Sequence, residues 1–276
     1  METLYVSDLD GTLLNKKKEI TPKTAEILNR CIREGMKFSV ATARMPYGCD
    51  YRLQDLAMTT PGILTNGVFL YDFNQQRYLD VQAMEPEVVK NALKIFRRFG
   101  ISCFLYLYKK EQLSLYYEDQ KMESQVQYYS ERALESCSEV KRVDDLFEIL
   151  QEGKVVYLAV TDCQETLSPV LEELGQVSGL RYAYYLNIYN GLYCLEVFSD
   201  QASKKEALLK LKEMTGCDQV VVFGDNLNDL PMIEIADRSY APANALEEIK
   251  GRVTGVLDDC DHDCVAKFLE REWKNK

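Results

Sequence analysis

The segment LYVSDLDGTLL at residues 4–14 decides the fold. Its first four residues are mainly apolar and predict a short buried strand, and two carboxylates, Asp8 and Asp10, follow this strand directly. Thr21 and Pro22 then begin a helix, because threonine is a good N-cap and proline suits the first helical position. A strand that ends in acids and leads into a helix is typical of an α/β protein.

Two further apolar segments, at residues 37–41 and 63–65, continue this alternation. Each predicts a strand, and polar or small residues follow both of them. Strand–helix–strand alternation of this kind predicts an α/β fold with a doubly wound, Rossmann-like parallel sheet. The residues that directly follow the two strands are Thr42, Ala43, Arg44, Asn66 and Gly67.

The pattern changes in the middle of the chain. Residues 101–117 predict a hairpin, and the Asn-Gly pair at residues 190–191 is a strong hairpin turn. The α/β pattern returns with a helix at residues 204–215 and a strand at residues 220–223, which has no polar residue and is therefore predicted to be buried on both faces. We predict a core domain formed by residues 1–83 and 199–276, with an inserted α+β domain at residues 84–198.

Composition and charge exclude several classes of protein. The 276 residues are 46% hydrophobic and 28% charged, as in globular proteins, so a disordered or fibrous chain is excluded. A net charge of −11 opposes binding to nucleic acid or to anionic membranes. The chain has no apolar run near the ~18 residues of a membrane span and no secretory signal pattern at its start. We expect a cytoplasmic protein, a monomer or small homo-oligomer, with neither nucleic acid nor a membrane as partner.

The histidine and cysteine content limits metal chemistry. His262 is the single histidine, which excludes sites that need two or more. The nine cysteines are scattered and odd in number, so we interpret them as reduced cytosolic thiols. The segment CDHDC at residues 260–264 offers two thiols and one imidazole, but a helix start with buried thiols explains it better than a zinc site.

The polar residues that follow the core strands are expected at one edge of the sheet. Ligands of open parallel sheets bind beyond the carboxyl ends of the strands. Carboxylates packed together repel one another unless a cation or protons intervene. Oxygen ligands without histidine or cysteine favour Mg²⁺, which often shares a substrate phosphate. The residues predicted at this edge are Asp8, Asp10, Thr42, Asn66, Asp225, Asn228 and Asp229.

Four segments stand in the order found in the haloacid dehalogenase superfamily: DLDGTLL (8–14), ATAR (41–44), SKKEAL (203–208) and GDNLND (224–229). Three others resemble the Cof-type phosphatases of its subfamily IIB: TNG (65–67), APANA (241–245) and VT (253–254). The resemblance spans the chain, and the inserted domain stands where that subfamily has its α/β cap. It implies a magnesium-dependent phosphatase that acts on a small phosphorylated metabolite, most plausibly a sugar phosphate.

The resemblance also implies a role for each motif residue. Asp8 attacks phosphorus and forms an aspartyl phosphate, and Asp10 protonates the leaving group and then activates water. Mg²⁺ is held by Asp8, the main-chain carbonyl of Asp10 and Asp225, and it neutralises the charges of the nucleophile and the phosphate. Asp229 orients the metal shell or Lys204. The phosphate ligands are Thr42, Ala43, Lys204 and Asn228, and the candidate substrate contacts are Arg44, Asn66 and Gly67.

Several of these residues also have structural interpretations. Thr42 can be a helix cap, Lys204 a solvated helix residue and the Asn-Gly pair at residues 66–67 a simple turn. Arg44 can bind phosphate or pair with a carboxylate. In the inserted domain, Glu196 can contact a substrate hydroxyl, whereas the many tyrosines suit sheet packing better than ligand binding.

Two other functions stay open at this point. A sugar phosphomutase uses the same aspartyl phosphate but returns it to the substrate, and a non-catalytic sugar-phosphate sensor keeps the fold. The set of Asp8, Asp10, Lys204 and Asp225 argues against a sensor, because a sensor needs neither a nucleophile nor an acid/base. The motif ATAR departs from the commoner ATGR, since Ala43 occupies a position that is usually glycine.

Overall fold

A computed structural model describes residues 2–119, 122, 137–186 and 191–274 of the chain. The chain forms two compact units, Met1–Asp80 with Ser203–Lys276, and Val81–Ala202. The first unit carries every motif that resembles the haloacid dehalogenase superfamily, and the second contains the predicted insertion at residues 84–198. The predicted turn residue Asn190 lies outside the described residues.

The elements of the described residues are numbered in chain order. The strands are β1 (Thr3–Ser7), β2 (Lys37–Val40), β3 (Gly62–Leu64), β4 (Phe69–Asp72), β5 (Arg77–Val81), β6 (Phe104–Lys109), β7 (Gln112–Tyr117), β8 (Glu139–Arg142), β9 (Lys154–Asp162), β10 (Leu180–Leu186), β11 (Tyr193–Ser199), β12 (Gln219–Phe223), β13 (Arg238–Ala241) and β14 (Gly255–Val256). The α-helices are α1 (Pro22–Arg33), α2 (Pro46–Leu53), α3 (Pro86–Arg98), α4 (Leu146–Ile149), α5 (Gln164–Leu174), α6 (Lys204–Thr215), α7 (Leu230–Ile233), α8 (Glu247–Lys250) and α9 (Cys264–Lys274). None of these helices combines the length and the apolar character that crossing a membrane requires.

The first unit contains a five-stranded parallel sheet in the order β14-β13-β12-β1-β2. Successive side chains of a strand point to opposite faces, and helices cover both faces here. On one face Leu4 and Val222 pack with Leu208 of α6. On the other, Phe223 makes an edge-to-face contact with Phe268 of α9. The doubly wound α/β fold predicted from the sequence is therefore confirmed.

Capping residues set the start of two helices near the candidate site. Thr21 precedes α1, and its side chain accepts a hydrogen bond of 3.0 Å from the N–H of Thr24. Ser203 precedes α6 in the same way and accepts from the N–H of Glu206 at 3.1 Å. Side-chain oxygens at this position satisfy N–H groups that have no partner within the helix. The cap at Ser203 fixes Lys204 as the first residue of α6.

The third strand differs from the expectation for a purely parallel sheet. A single parallel bridge, between Ala41 and Ile63, joins β3 to the end of β2. The main partner of β3 is β4, with which it pairs antiparallel in the small sheet β3-β4-β5. The reason is the backbone that follows, since Thr65, Asn66 and Gly67 all have positive φ angles, of 52°, 53° and 98°. Three left-handed residues reverse the chain at once, and β4 returns along β3.

The second unit is built on a six-stranded sheet in the order β10-β11-β9-β6-β7-β8. Neighbouring strands are antiparallel except for β7 and β8, which are parallel. Helices α3 and α5 cover one face of this sheet. The core between them includes Leu93 of α3, Leu167 of α5, and Leu105, Leu158 and Leu195 of the strands.

Candidate active site

Asp8 lies where β1 ends, and β1 stands between β12 and β2 in the parallel sheet. Its N–H donates to the carbonyl of Phe223, at the end of the neighbouring strand β12, over 2.9 Å. The hydroxyl of Ser7 donates to the carbonyl of Asp8 at 2.8 Å. The side chain of Asp8 is only 8% exposed. A carboxylate at this depth needs partners inside the protein, because burying an unpaired charge is very unfavourable.

Lys204 provides this partner. Its Nζ donates to Oδ1 of Asp8 at 2.7 Å and to Oδ1 of Asp229 at 2.6 Å. The side chains of Lys204 and Asp229 have no exposed surface at all. The sequence left open that Lys204 is a solvated helix residue, and this geometry excludes that interpretation.

The charges of this cluster do not balance. Burial raises the pKa of Asp8 well above its usual value; the charge of Lys204 opposes this effect, whereas those of Asp229 and Asp225 add to it. Burial alone would lower the pKa of Lys204, but Asp229 and Asp8 outweigh it, and the pKa is raised. Lys204 therefore stays protonated, and one ammonium group faces three carboxyl groups.

Asp229 holds the turn that carries Asp225. Its Oδ2 accepts hydrogen bonds from the N–H groups of Asp225, at 2.9 Å, and Asn226, at 3.1 Å. The side chain of Asn226 caps the same turn by accepting from the N–H of Leu227 at 2.7 Å. Both oxygens of Asp229 are therefore engaged, one with Lys204 and one with the backbone, which suits a residue that orients its neighbours.

Asp225 reaches toward the loop after β1. Its Oδ1 accepts a hydrogen bond of 3.0 Å from the hydroxyl of Thr12. Gly11 has a φ of 81°, and a Cβ atom there would lie 2.5 Å from Oδ2 of Asp225, so this close approach requires glycine. Burial raises the pKa of Asp225 to about 6; the charge of Asp229 adds to this effect, while the Thr12 hydrogen bond opposes it.

The donor atoms of this cluster fit a divalent cation. Carboxylate oxygens of Asp8, Asp225 and Asp229 lie within 4.8 Å of one another. They are hard oxygen ligands, the type that Mg²⁺ and Ca²⁺ prefer, and they exceed the positive charge that Lys204 supplies. The sequence predicted Asp8 and Asp225 as side-chain ligands, with the main-chain carbonyl of Asp10 beside them, and the geometry adds Asp229 to the acidic group.

Asp10 pairs with Arg44. Nε of Arg44 donates to Oδ2 of Asp10 at 2.6 Å, and Nη2 donates to Oδ1 at 2.5 Å, which makes a bidentate pair. Burial lowers the pKa of Arg44, but the hydrogen bond and the charge of Asp10 outweigh it, and the pKa is raised. Of the two roles that the sequence allowed for Arg44, this structure shows the pairing with a carboxylate.

Thr42 and Ala43 form the turn between β2 and α2. Thr42 is buried, and its hydroxyl accepts a hydrogen bond of 3.2 Å from the N–H of Arg44. Thr42 is not the helix cap, because the N-cap of α2 is Met45. Ala43 is exposed, so part of its surface is open to a ligand.

The loop after β3 contributes Asn66 and Gly67. Nδ2 of Asn228 donates to Oδ1 of Asn66 at 3.1 Å, and this contact joins two of the predicted residues at the rim of the sheet. Gly67 is buried, and a Cβ atom there would overlap the main chain of Ser203, the cap of α6. The glycine is therefore needed for packing, whatever its contact with a substrate.

The sequence analysis missed two residues that support the site. Thr12 holds Asp225, and Asn244 ties the Gly11 loop to the last part of the chain: its Nδ2 donates to the carbonyl of Gly11 at 2.7 Å, and its Oδ1 accepts from the N–H of Cys260 at 3.0 Å. The signal was present in both cases, since Thr12 lies in DLDGTLL and Asn244 in APANA. These motifs were recognised, but no role was given to these two side chains.

The acidic segment around Cys260 is a different kind of cluster. Ligand atoms of Asp259, Cys260 and Asp261 lie close enough to hold a metal ion, but Lys16 pairs with both carboxylates, at 3.2 and 3.3 Å. Burial raises the pKa of the Cys260 thiol to about 11, so the thiol is protonated at neutral pH. Together with the buried Cys264, this agrees with a helix start that has buried thiols.

Comparisons with known proteins bear on this geometry. Residues 5–269 match the family model of haloacid dehalogenase-like hydrolases. The pyridoxal phosphate phosphatase YbhA of Escherichia coli is 27% identical over 272 residues, which cover 95% of each chain. The 5-amino-6-(5-phospho-D-ribitylamino)uracil phosphatase YwtE of Bacillus subtilis is 25% identical over 291 aligned positions, with 96% of each chain covered.

A solved structure extends the likeness to the three-dimensional fold. The sugar phosphatase BT4131, described as a member of haloacid dehalogenase subclass IIB, superposes with a TM-score of 0.72 at 20% identity and covers 99% of both chains. At this identity the likeness shows the shared fold. The resemblance found in the motifs is confirmed, and the chain belongs to the family of haloacid dehalogenase-like hydrolases.

Proposed function

We propose that this haloacid dehalogenase-like phosphatase is a cytoplasmic, Mg²⁺-dependent enzyme that hydrolyses small phosphorylated metabolites through an aspartyl phosphate. The observation that carries the proposal is the buried ammonium of Lys204, 2.7 Å from Asp8 and 2.6 Å from Asp229. A fixed positive charge beside a nucleophile can bind the oxygens of the phosphoryl group that the nucleophile attacks.

The acidic group would hold the metal ion. Asp8, Asp225 and the main-chain carbonyl of Asp10 are the proposed ligands of Mg²⁺, and Asp229 is proposed to position Lys204 and the Asp225 turn. When bound, the ion supplies the positive charge that lets an anionic nucleophile approach an anionic phosphate. Three carboxyl groups beside one ammonium leave a surplus of negative charge, and this surplus supports the assignment. Burial raises the pKa values of Asp8 and Asp225, and the charge of Asp229 adds to both rises.

The reaction has two steps. In the first, an oxygen of Asp8 attacks phosphorus, the bond to the ester oxygen breaks, and Asp10 gives its proton to the departing alcohol. In the second, Asp10 takes a proton from water as the water attacks phosphorus, and the bond between Asp8 and phosphorus breaks. The products are the alcohol and inorganic phosphate, and both carboxyl groups return to their starting state.

Sugar phosphates are the first substrate class to test. The relatives named for pyridoxal phosphate and for 5-amino-6-(5-phospho-D-ribitylamino)uracil add two candidates. In each of these compounds the phosphate ester belongs to a small metabolite, as the proposal requires.

The proposal is tested by measuring phosphate release from a panel of hexose and pentose phosphates, pyridoxal phosphate and the ribitylaminouracil phosphate, with Mg²⁺ and with a chelator. We expect turnover of at least one compound, loss of that turnover with the chelator, and recovery when Mg²⁺ is returned. Hydrolysis that persists in the chelator would refute the metal assignment. Isomerisation of a hexose 1-phosphate with little phosphate release would instead indicate a phosphomutase.

A further inference from the structure

Arg44 has no part in the reaction as written above, yet its geometry with Asp10 is specific. Two N–H groups of one guanidinium meet the two oxygens of one carboxylate, at 2.6 and 2.5 Å. Such a pair fixes the plane of the carboxylate as well as its position, which a single ammonium group cannot do.

The backbone of Arg44 is held on both sides. Its N–H donates to the hydroxyl of Thr42 at 3.2 Å, and its carbonyl accepts from the N–H of Thr65 at 3.0 Å. The N–H of Thr42 in turn donates to the carbonyl of Ile63, at 2.9 Å. The side chain is four-fifths covered, with 20% of its surface exposed. The guanidinium therefore extends from a fixed support.

Asp10 has its backbone held by a bridge to Leu14, but its carboxylate is less enclosed than the guanidinium of Arg44. It lies between β1 and α1, and 41% of its side chain is exposed. An acid/base group must keep one oxygen within hydrogen-bonding reach of the atom that gains or loses the proton. The Arg44 pair takes two of the roughly four lone-pair positions of the carboxyl group. The proton that Asp10 donates in the first step, and regains in the second, occupies one of the remaining positions.

We propose that Arg44 is a positioning residue, which orients the carboxylate of Asp10 toward the ester oxygen, and that it is not a phosphate ligand. This inference rests on the proposed phosphatase function. A phosphate ligand would support every substrate equally, because all share the phosphoryl group. A residue that acts through the general acid supports only those substrates whose leaving group needs a proton.

The test compares two substrates with different leaving groups, 4-nitrophenyl phosphate and an alkyl phosphate such as a sugar phosphate that the enzyme turns over. Nitrophenolate departs without a proton, whereas an alkoxide does not. The value of kcat/KM reports the first step, so it isolates proton donation from the hydrolysis of the aspartyl phosphate. In Arg44→Lys, we expect kcat/KM for the alkyl phosphate to fall about 10–100-fold more than for 4-nitrophenyl phosphate. In an Asp10→Asn background, the same change should have no selective effect.

Arg238→Lys is the matched control, since Arg238 also bonds to a carboxylate, Glu272, at 2.6 Å. It should leave the ratio of the two kcat/KM values unchanged. Equal losses on both substrates in Arg44→Lys, or a selective loss that persists in the Asp10→Asn background, would overturn the positioning role. If the wild-type chain hydrolyses neither substrate, the proposed function itself fails, and the inference fails with it.

Discussion

Carboxylates that are buried or partly buried occur in both units of the molecule, but they are held in different ways. In the first unit, Asp8 and Asp229 share the ammonium of Lys204, and Asp225 adds a third acid nearby. In the second unit, Glu196 of β11 is bonded to neutral groups. The hydroxyl of Tyr185 donates to its Oε1 at 2.7 Å.

The pKa values express this difference. Burial raises the pKa of Glu196, while hydrogen bonds from Tyr157 and Tyr185 oppose the rise. Two neutral phenols thus donate hydrogen bonds to this single carboxylate. Asp8 has a full positive charge beside it, yet burial still raises its pKa well above normal, and the charges of Asp229 and Asp225 add to this rise. The comparison indicates that the carboxylates of the first unit need a cation in addition to the ammonium of Lys204.

The largest expected effect comes from the nucleophile. Asp8→Asn should reduce phosphate release by a factor on the order of 10⁴ or more, since the amide cannot form the acyl phosphate. The same change should leave the thermal midpoint unchanged or raise it, because Lys204 and Asp229 remain as a balanced pair and one charge of a crowded group is removed. A phosphate-release assay and a melting curve measure the two effects. Near-normal turnover would remove Asp8 from its proposed role.

Lys204→Met is expected to lose less activity than Asp8→Asn, but it should also lose stability. Removing the ammonium leaves Asp8 and Asp229 buried without a counter-charge, and breaking a buried pair costs about 3–5 kcal/mol. Denaturant unfolding measures this change in free energy. Lys210→Met is the matched control, because Lys210 pairs with Asp80 at 2.6 Å but its side chain is 45% exposed, and this variant should lose little. Equal stability of the two variants would contradict the account of the cluster.

The smallest effect is expected in the second unit. Because the folded pKa of Glu196 is raised, its ionised form opposes folding, and wild-type stability falls as pH rises through that pKa. Glu196→Gln removes this charge, so its thermal midpoint at pH 7 should equal or exceed that of the wild type, and the difference should vanish below about pH 4, where glutamate is protonated in both states. Melting curves across this pH range test the sign. If the thermal midpoint of Glu196→Gln rose further above that of the wild type as the pH fell, the ionised carboxylate of Glu196 would be stabilising, and the account would be wrong.

The sequence predicted the parts of the site that depend on the backbone. Asp8 and Asp225 follow strands of apolar residues, and parallel strands bring their carboxyl ends to one edge. The sequence also predicted the start of α6 at Lys204, and the cap at Ser203 in the structure agrees with this start. In these cases the local sequence pattern and the sheet topology together determine where the backbone places the residue.

Other features depend on side-chain contacts between distant segments, which no local pattern encodes. The sequence was equally compatible with Arg44 binding phosphate and with Arg44 pairing with a carboxylate. The structure shows that its guanidinium makes a bidentate pair with Asp10. The reversal that takes β3 away from a fully parallel sheet is local, but two of its three left-handed residues, Thr65 and Asn66, are not glycine, so the sequence gives little sign of it. Asn244 lies 233 positions from Gly11, and only the folded chain joins them.

The central claim, that the acidic cluster of the first unit binds a divalent cation, is tested most directly by melting curves with and without Mg²⁺. We predict that Mg²⁺ raises the thermal midpoint of the wild type, because a ligand that binds the folded state stabilises it. The increase in midpoint should be smaller at pH 5, because protons compete with Mg²⁺ for Asp225, whose pKa is about 6. The increase should be lost in Asp225→Asn but kept in Glu196→Gln. A midpoint that Mg²⁺ does not move, or moves equally in Asp225→Asn, would contradict the claim.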